Sequence, residues 1–397
     1  MRLRKSLAIA STLGAAMVLI AACGSPEQPA EETPAAAESA AAAPSDSAAA
    51  AAGAVDASMA TSAADFGGID GLVAACQAEG KLNVIALPPD WANYGVIIEN
   101  FAAKYGIEVE SQQPDANSQD EINAATQNAG TDRAPDVFDL GQAVALSNTA
   151  MYAPYKVATF DLIPDAFKDP NGLWVNDYGG FMSVGYDANR VPEVTSLDDL
   201  LGPDFKGAVA LNGDPTQASA GWNGVMMASI ANGGSADDIS KGVEYFAALN
   251  EAGNFLPVDP TPATIESGQT PVVFDWDYLH AGQVAGLKEK GIDWRIFIPE
   301  GAVVGGYYYQ AINKDAPNPA CARLWQEYLY SPDGQNEWLR GGARPVLAEA
   351  FAADGTLDAE AFALLPAVQG SPVVPNDQQV LAGNDYLVAN WSKAVGG

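Results

Sequence analysis

The side chains that most often bind metal ions or act as catalytic bases are scarce in this sequence. Its 397 residues include one histidine and three cysteines. A histidine-rich metal centre and a four-cysteine zinc site are therefore excluded. A hydrolase with a Ser-His-Asp or Cys-His arrangement would have to use His280 as its base, and no G-x-S-x-G turn is present to hold a nucleophile.

Basic residues are also few. The chain has 19 Lys and Arg against 50 Asp and Glu, which gives a formal net charge of -31. Nucleic acid binding needs clustered cations, so that class of partner is excluded, whereas cationic and neutral ligands remain open. No G-x-G-x-x-G or Walker loop follows the first predicted strand, so nucleotide chemistry has no support. The hydrophobic share of 48% suffices for sizeable cores, and the length suits two domains.

The N-terminal segment indicates export and lipid anchoring. Residues 1–22 combine a basic start with an apolar stretch that ends in small residues, which is typical of a secretory signal. Ile20-Ala21-Ala22-Cys23 resembles the bacterial lipobox, which implies cleavage before Cys23 and a lipid, with acyl chains such as palmitate, on its sulfur. Residues 23–65 are mostly Ala, Pro, Glu and Ser and predict a disordered linker. The alternative is a plain signal and an incidental cysteine.

Strands and helices alternate along the body of the chain. Leu82–Leu87 and Asp136–Leu140 predict buried strands, and Tyr94–Tyr105 predicts a helix. A capping box that begins at Ser118 predicts another helix. This alternation indicates an α/β fold with doubly wound sheets. The predicted segments are residues 66–150 in a first lobe, 151–270 in a second lobe, 271–340 returning to the first, and 341–397 as C-terminal helices on the second.

Ligands of open α/β sheets lie beyond the carboxyl ends of the strands, so residues at those ends are the candidates for binding. They are Trp91, Tyr94, Gln142, Asp214, Asp275, Trp276, Asp277 and Tyr278. Aromatic faces and carboxylates together favour an organic amine, and the alternative is that the aromatic residues belong to the core or the hinge. Alternation puts Asp275 and Asp277 on one face and Trp276 on the other, unless the strand ends by Trp276. Among these three, Trp276 and Asp277 rank above Asp275.

Three further patterns leave alternatives open. Asp275 or Asp277 could serve a secreted carbohydrate-active hydrolase, which needs a pair of carboxylates. The run Tyr307–Tyr309 could supply ligands for ferric iron, although neighbouring residues of a strand face opposite ways. Cys76 and Cys321 remain once Cys23 carries lipid. In an oxidising compartment they form either a disulfide or two separate buried thiols.

Four short motifs follow one another along the body. They are Glu79–Val84 (EGKLNV), Pro299–Gly301 (PEG), Ala316–Leu324 (APNPACARL) and Ser331–Gln335 (SPDGQ). With them, the chain from about Leu72 to its end resembles the extracytoplasmic solute-binding proteins of ABC importers. The resembling group includes spermidine/putrescine-, ferric-iron-, thiamine- and aminoethylphosphonate-binding proteins. The resemblance implies a type II periplasmic-binding fold, with two lobes joined by a hinge.

The resemblance also suggests roles for individual residues. In polyamine-binding members a W-x-x-Y after the first strand helps to enclose the ligand, and Trp91 and Tyr94 have this spacing. Asp214 matches an acidic turn of the second lobe, whereas Gln217 stands where another acidic residue would be expected. Iron-binding members have paired tyrosines where this chain has Asp275–Tyr278 with a single tyrosine, which disfavours iron. Two aspartates there would also repel a phosphonate.

Together these features predict a monomeric, lipid-anchored binding protein outside the cell membrane, without enzymatic activity, cofactor or metal. It is expected to close over a small organic cation such as putrescine or spermidine and to deliver it to the permease and ATPase subunits of an importer. The alternatives are the same fold with an anionic or zwitterionic solute (a phosphonate, an amino acid or a thiamine-like compound), a carbohydrate-active hydrolase, and a purely structural lipoprotein.

Overall fold

The computed structural model describes residues 55–365 and 370–396. The predicted signal sequence, Cys23 and most of the predicted linker lie outside these residues. The strands are β1 Lys81–Ile85, β2 Glu108–Gln112, β3 Val137–Leu140, β4 Tyr152–Ala153, β5 Val175–Asp187, β6 Val209–Leu211, β7 Val272–Trp276, β8 Trp294–Phe297, β9 Gly305–Asn313 and β10 Arg344–Pro345. The α-helices are α1 Ile69–Glu79, α2 Tyr94–Tyr105, α3 Ser118–Gln127, α4 Gln142–Ser147, α5 Ser219–Ala231, α6 Ser240–Glu251, α7 Pro262–Ser267, α8 Asp277–Glu289, α9 Pro319–Leu329, α10 Pro332–Arg340, α11 Ala348–Asp354, α12 Ala359–Ala363 and α13 Asp377–Val395. In the part of the chain so described, no helix has the length and apolar character needed to span a membrane.

The long strand β5 takes part in two sheets. Residues 175–181 pair antiparallel with β9, which pairs in turn with β3. Residues 182–187 lie between β7 and β8, and β7 pairs parallel with β6. The parallel pair β1–β2 lies beside β3, because the N–H of Asp136 donates to the carbonyl oxygen of Asn83 at 2.9 Å. We call the part around β1, β2, β3 and β9 the first lobe, and the part around β6, β7 and β8 the second lobe.

The strand β7 pairs only within the second lobe. Its neighbours are β6 and the second half of β5. The sequence predicted that residues 271–340 return to the first lobe, and that boundary stays a prediction; pairing with the first sheet resumes at β9. Alternation of strands along a chain does not reveal their partners, because pairing joins segments that are distant in sequence. The other lobe boundaries remain predictions.

Helix α2 has the bounds that its hydrophobic spacing predicts. Ile97 and Phe101 are fully buried on one face, as expected of an amphipathic helix. The helix ends at Gly106, whose φ of 70° is a left-handed conformation that glycine adopts without steric cost. The helix predicted from Tyr94 to Tyr105 is thus confirmed.

Residues that precede α1 pack on the body earlier than composition predicts. Arg323 of α9 is 1% exposed and donates from Nε to Ala60 O and from Nη2 to Ser58 O, both at 2.8 Å. Burial lowers the pKa of Arg323 to about 10, so these carbonyl oxygens replace the water that the guanidinium has lost. Disorder was predicted up to residue 65, but residues 55–65 are ordered here. Composition describes only the side chains of this segment, so it could not predict that backbone carbonyl oxygens here accept hydrogen bonds from a buried arginine.

Helices α1 and α9 are covalently joined. Cys76 and Cys321 form a disulfide, with Cα atoms 4.4 Å apart. The neighbouring Glu79 accepts hydrogen bonds from the backbone N–H groups of Ala320 (2.9 Å) and Cys321 (2.8 Å). A carboxylate at the N-terminus of α9 satisfies donors that have no partner inside the helix. Of the two alternatives for these cysteines, the structure contains the disulfide.

Candidate functional site

A cavity of about 460 Å³ lies where both lobes present the ends of their strands. From the first lobe, its acidic lining residues are Asp90, Asp115, Glu121 and Asp139; from the second, they are Asp214, Asp259 and Asp275. Its walls also include Trp91, Tyr308, Ile265 and Leu279. No Lys, Arg or His is found among the described residues that line it. The cavity therefore combines apolar walls with carboxyl groups from both lobes.

In the first lobe, Glu121 and Asp139 form the buried part of this acidic surface. Asp139 lies on β3, and Glu121 lies in the first turn of α3. The N–H of Asp139 donates to Glu121 Oε2 at 3.0 Å. Burial is the main cause that raises the pKa of each carboxyl group above its usual value.

The helix that presents Glu121 begins one residue earlier than its sequence suggests. Asn117, rather than Ser118, is its N-cap, because Asn117 Oδ1 accepts from the N–H of Gln119 (2.9 Å) and of Asp120 (3.1 Å). Ser118 instead accepts the N–H of Gly141 with its Oγ, at 2.9 Å. Both residues satisfy hydrogen-bond donors, but only Asn117 caps the helix.

An aromatic cluster forms one wall of the cavity. Trp91 is half-buried and donates from Nε1 to the hydroxyl of Tyr178 at 2.9 Å. The Trp91 ring meets the rings of Tyr308 and Tyr278 edge-on, with centroids 6.0 and 6.3 Å apart. Tyr308 stacks on Tyr178 with a centroid distance of 5.4 Å. These mutual contacts hold Trp91 and Tyr308 in place at the cavity surface.

Asp275 is the buried acid of the second lobe. It is 7% exposed and accepts from Asn212 Nδ2 and from the N–H of Trp276, both at 2.8 Å. Burial raises its pKa to about 7. Asp214 is exposed at the cavity mouth, where its Oδ1 accepts the N–H and the hydroxyl of Thr216. With Asp259, which is also exposed, the second lobe thus offers one buried and two exposed carboxyl groups to the same space.

Residues 135–365 match the family described as bacterial extracellular solute-binding protein. The chain belongs to this family. The match covers more than half of the sequence and includes β3 to β10. This assigns the protein to a class that binds solutes outside the cytoplasm.

Solved structures of periplasmic binding proteins share the fold of this solute-binding protein. The periplasmic binding protein P5PA is 20% identical with a TM-score of 0.61, and the match covers 80% of this chain and 99% of that one. AfuA from Actinobacillus pleuropneumoniae, solved with fructose-6-phosphate bound, is 17% identical with a TM-score of 0.60 over 80% and 99% of the two chains. A putative spermidine/putrescine ABC transporter protein from Listeria monocytogenes is 14% identical with a TM-score of 0.59 over 79% and 99%. These proteins are two-lobed; AfuA holds an anionic sugar phosphate, whereas the Listeria protein is named for cationic polyamines, so the shared fold does not select the charge of the ligand.

The residues predicted to bind ligand divide into two groups in this solute-binding protein. Trp91, Asp214 and Asp275 line the cavity. The other five, Tyr94, Gln142, Trp276, Asp277 and Tyr278, do not. Tyr94 lies behind the surface and donates its hydroxyl to Asp139 Oδ2 at 2.8 Å. Gln142 donates to Asp377 Oδ1 at 3.0 Å, at the start of α13.

The rings of Trp276 and Tyr278 form a second layer behind the lining. They stack on each other with centroids 6.3 Å apart, and each is 1% exposed. Trp276 Nε1 donates to the hydroxyl of Tyr308 at 3.2 Å, so Trp276 supports a lining residue. In the structure these two aromatic residues belong to the core, which was the alternative left open by the sequence.

The order of Asp275 and Asp277 differs from the ranking made from the sequence. β7 ends at Trp276, and Asp277 is the first residue of α8, so strand alternation does not continue to it. Asp277 is fully buried, where it accepts the N–H of Phe181 and pairs with Arg344 Nη1, both at 2.9 Å. Asp275 therefore faces the cavity, whereas Asp277 joins β5, α8 and β10. A hydrolytic pair built from these two residues has no geometric support.

Sequence reasoning missed most of the acidic lining. Glu121 and Asp139 are the largest omission, because they are the buried ionisable residues of the first-lobe lining. The signal for Asp139 was present, since an aspartate near the end of the apolar run DVFDL is costly to bury without a purpose. Across residues 55–365 and 370–396, no group of three or more His, Cys, Asp or Glu is arranged to hold a metal ion.

Proposed function

We propose that this solute-binding protein captures a small organic cation of the polyamine class outside the membrane and delivers it to an ABC permease. The observation that carries the proposal is the charge of the cavity. The lining contains seven Asp and Glu residues and no Lys, Arg or His among the described residues, and both lobes contribute the carboxyl groups. A ligand with cationic groups at two ends could therefore contact carboxyl groups of both lobes at once.

The aromatic and aliphatic walls suit the carbon chain of such a ligand. Trp91 and Tyr308 present ring surfaces, and ring faces attract ammonium groups through their quadrupoles. Ile265 and Leu279 offer apolar contact for methylene groups. An anion would instead lose water without gaining a fixed positive partner from the described lining, so a sugar phosphate or phosphonate is disfavoured.

Calorimetric titration with putrescine, spermidine and fructose 6-phosphate tests the proposal directly. We expect heat of binding with at least one amine and none with the sugar phosphate. Binding of the sugar phosphate together with no binding of either amine would overturn the cationic proposal and leave only the solute-binding family.

Two matched variants locate the site. Asp275→Asn removes a charge that lines the cavity, and for an amine we expect a loss of about 2–5 kcal/mol of binding free energy. Asp277→Asn makes the same chemical change outside the cavity, and amine affinity should change little. The reverse pattern would favour the sequence-based ranking, with Asp277 as the ligand-binding residue.

Attachment to the membrane is a separate proposal that rests on the sequence. Cys23 follows Ile20-Ala21-Ala22, a motif that resembles the lipobox. Cys23→Ser removes the sulfur to which lipid would be attached, so the variant should be released from the membrane fraction. Retention of the variant in that fraction, with no acyl mass on the wild-type N-terminus, would contradict lipidation.

A further inference from the structure

Glu121 and Asp139 hold buried acceptor atoms without partners in the wall of the cavity. The two side chains are 1% and 8% exposed, and both line the cavity. Glu121 Oε2 accepts the N–H of Asp139, but Glu121 Oε1 and Asp139 Oδ1 are buried without a hydrogen-bond partner among the described residues. An unpartnered buried oxygen of a carboxyl group costs free energy, so its retention in two adjacent residues calls for a donor.

The surrounding hydrogen bonds fix Asp139 in this position. Its Oδ2 accepts the hydroxyl of Tyr94 at 2.8 Å and that of Tyr178 at 3.2 Å. Tyr178 is itself held by the indole of Trp91. The carboxyl group therefore cannot turn without breaking contacts to α2 and β5, so Asp139 keeps its place in the cavity wall.

The groups that face the pair carry no compensating positive charge. Asp177 lies on β5 beside Asp139, with its Oδ2 held by Gln310 Nε2 at 3.0 Å. The titratable groups that act on the pair are Tyr94 from α2, Asp120 from α3, Tyr152 from β4, Asp177 and Tyr178 from β5, Tyr278 from α8, Tyr308 from β9, and Tyr330 directly after α9. All of them are acidic or phenolic. Buried carboxyl groups in such surroundings hold protons more tightly than in water, because ionisation would place uncompensated negative charges side by side.

We propose that Glu121 and Asp139 bind a primary ammonium group of the ligand, and that this ammonium displaces one proton which the pair holds when the cavity is empty. The inference rests on the proposed function. An ammonium group carries three N–H donors, and the pair offers two unused acceptor oxygens. The exchange balances in charge, because each proton released to the buffer is replaced by positive charge on the ligand.

Titration of the full chain with putrescine measures this exchange. Calorimetry at pH 7 in phosphate and in MOPS, which differ in ionisation enthalpy, yields the number of protons released per ligand bound. We expect a net release approaching one proton, with affinity about ten-fold lower at pH 6 than at pH 7 if one proton is exchanged. Putrescine binding with no difference between buffers and no pH dependence would overturn the inference while leaving the proposed function intact.

Variants assign the exchange to the two residues. Glu121→Gln and Asp139→Asn each keep an acceptor for the existing hydrogen bonds, and each should reduce both proton release and affinity. Asp214→Asn is the control, because Asp214 is exposed to water and its Oδ1 already accepts two hydrogen bonds; proton release should persist.

Two further results separate the possible failures. The melting temperatures of Glu121→Gln and Asp139→Asn should equal or exceed that of the wild type, which shows that the variants fold. Proton release that is unchanged in both variants would overturn the assignment. If no amine binds the wild type, the proposed function itself is contradicted. Amine binding without proton release would contradict only the inference about Glu121 and Asp139.

Discussion

Replacing Asp275 by asparagine tests whether the ionised carboxylate of Asp275 destabilises the folded protein when no ligand is bound. The substitution keeps the shape of the side chain and one acceptor oxygen, while Asn212 can turn its amide to remain hydrogen-bonded. Burial raises the pKa of Asp275 from its usual 3.8 to about 7. A pKa difference of that size corresponds to about 4 kcal/mol of penalty on the ionised form.

The sign of the effect on stability follows from proton linkage. The folded protein holds the Asp275 proton more tightly than the unfolded chain does, so the free energy of unfolding falls as the pH rises from about 4 to about 7. The asparagine variant lacks this loss. Above pH 7 we expect the variant to be more stable than the wild type by up to about 4 kcal/mol, and near pH 4 the two should be similar.

Urea unfolding of both proteins without ligand, at pH 4, 6 and 8, measures this difference. The other buried acids are present in both proteins, so their contributions largely cancel in the comparison. Because the variant should also bind amines more weakly, stability and affinity should change in opposite directions. A variant that is less stable than the wild type at pH 8, or a difference independent of pH, would refute the reasoning. Either result would mean that the protein itself compensates the charge of Asp275.

Three other substitutions have defined outcomes. Asp277→Asn should destabilise the protein by about 3–5 kcal/mol in urea unfolding, because it removes the charge of a fully buried carboxylate that pairs with Arg344; equal stability would contradict this structural role. Gly141→Ala places a Cβ 2.6 Å from the Cβ of Ser219, so α4 and α5 must move apart, which costs about 1–3 kcal/mol of stability. Calorimetry should show that amine affinity falls about ten-fold. Unchanged affinity would mean that the contact between α4 and α5 does not matter for binding. Cys76→Ser removes the bond to Cys321 and should lower the free energy of unfolding by about 4 kcal/mol, whereas an unchanged value with and without reductant would show that the bond is not formed in solution.

Local sequence signals predicted the elements that depend on neighbouring residues. The apolar run from Leu82 predicted β1, and hydrophobic spacing followed by Gly106 predicted α2 with its observed bounds. Strand–helix alternation predicted the α/β class, and the family resemblance carried by the motifs implied the two-lobed fold, which the structural relatives share. These signals are local because helix periodicity, capping and chain termination by glycine act over a few residues.

The sequence by itself also determined that the protein is strongly acidic and that its carboxyl groups outnumber its cations, and these facts bounded the chemistry of the ligand. Only the tertiary structure decided which carboxyl groups reach the cavity. Glu121 and Asp139 meet at the cavity because α3 packs against β3 in the first lobe. Asp275 lines the same cavity on β7, whereas Asp277 lies beyond the end of that strand, as the first residue of α8. The direction of a side chain depends on where its strand ends and on what lies across it. Contacts between segments distant in sequence determine the end of the strand and the element that faces it, so a short stretch of sequence does not predict either one.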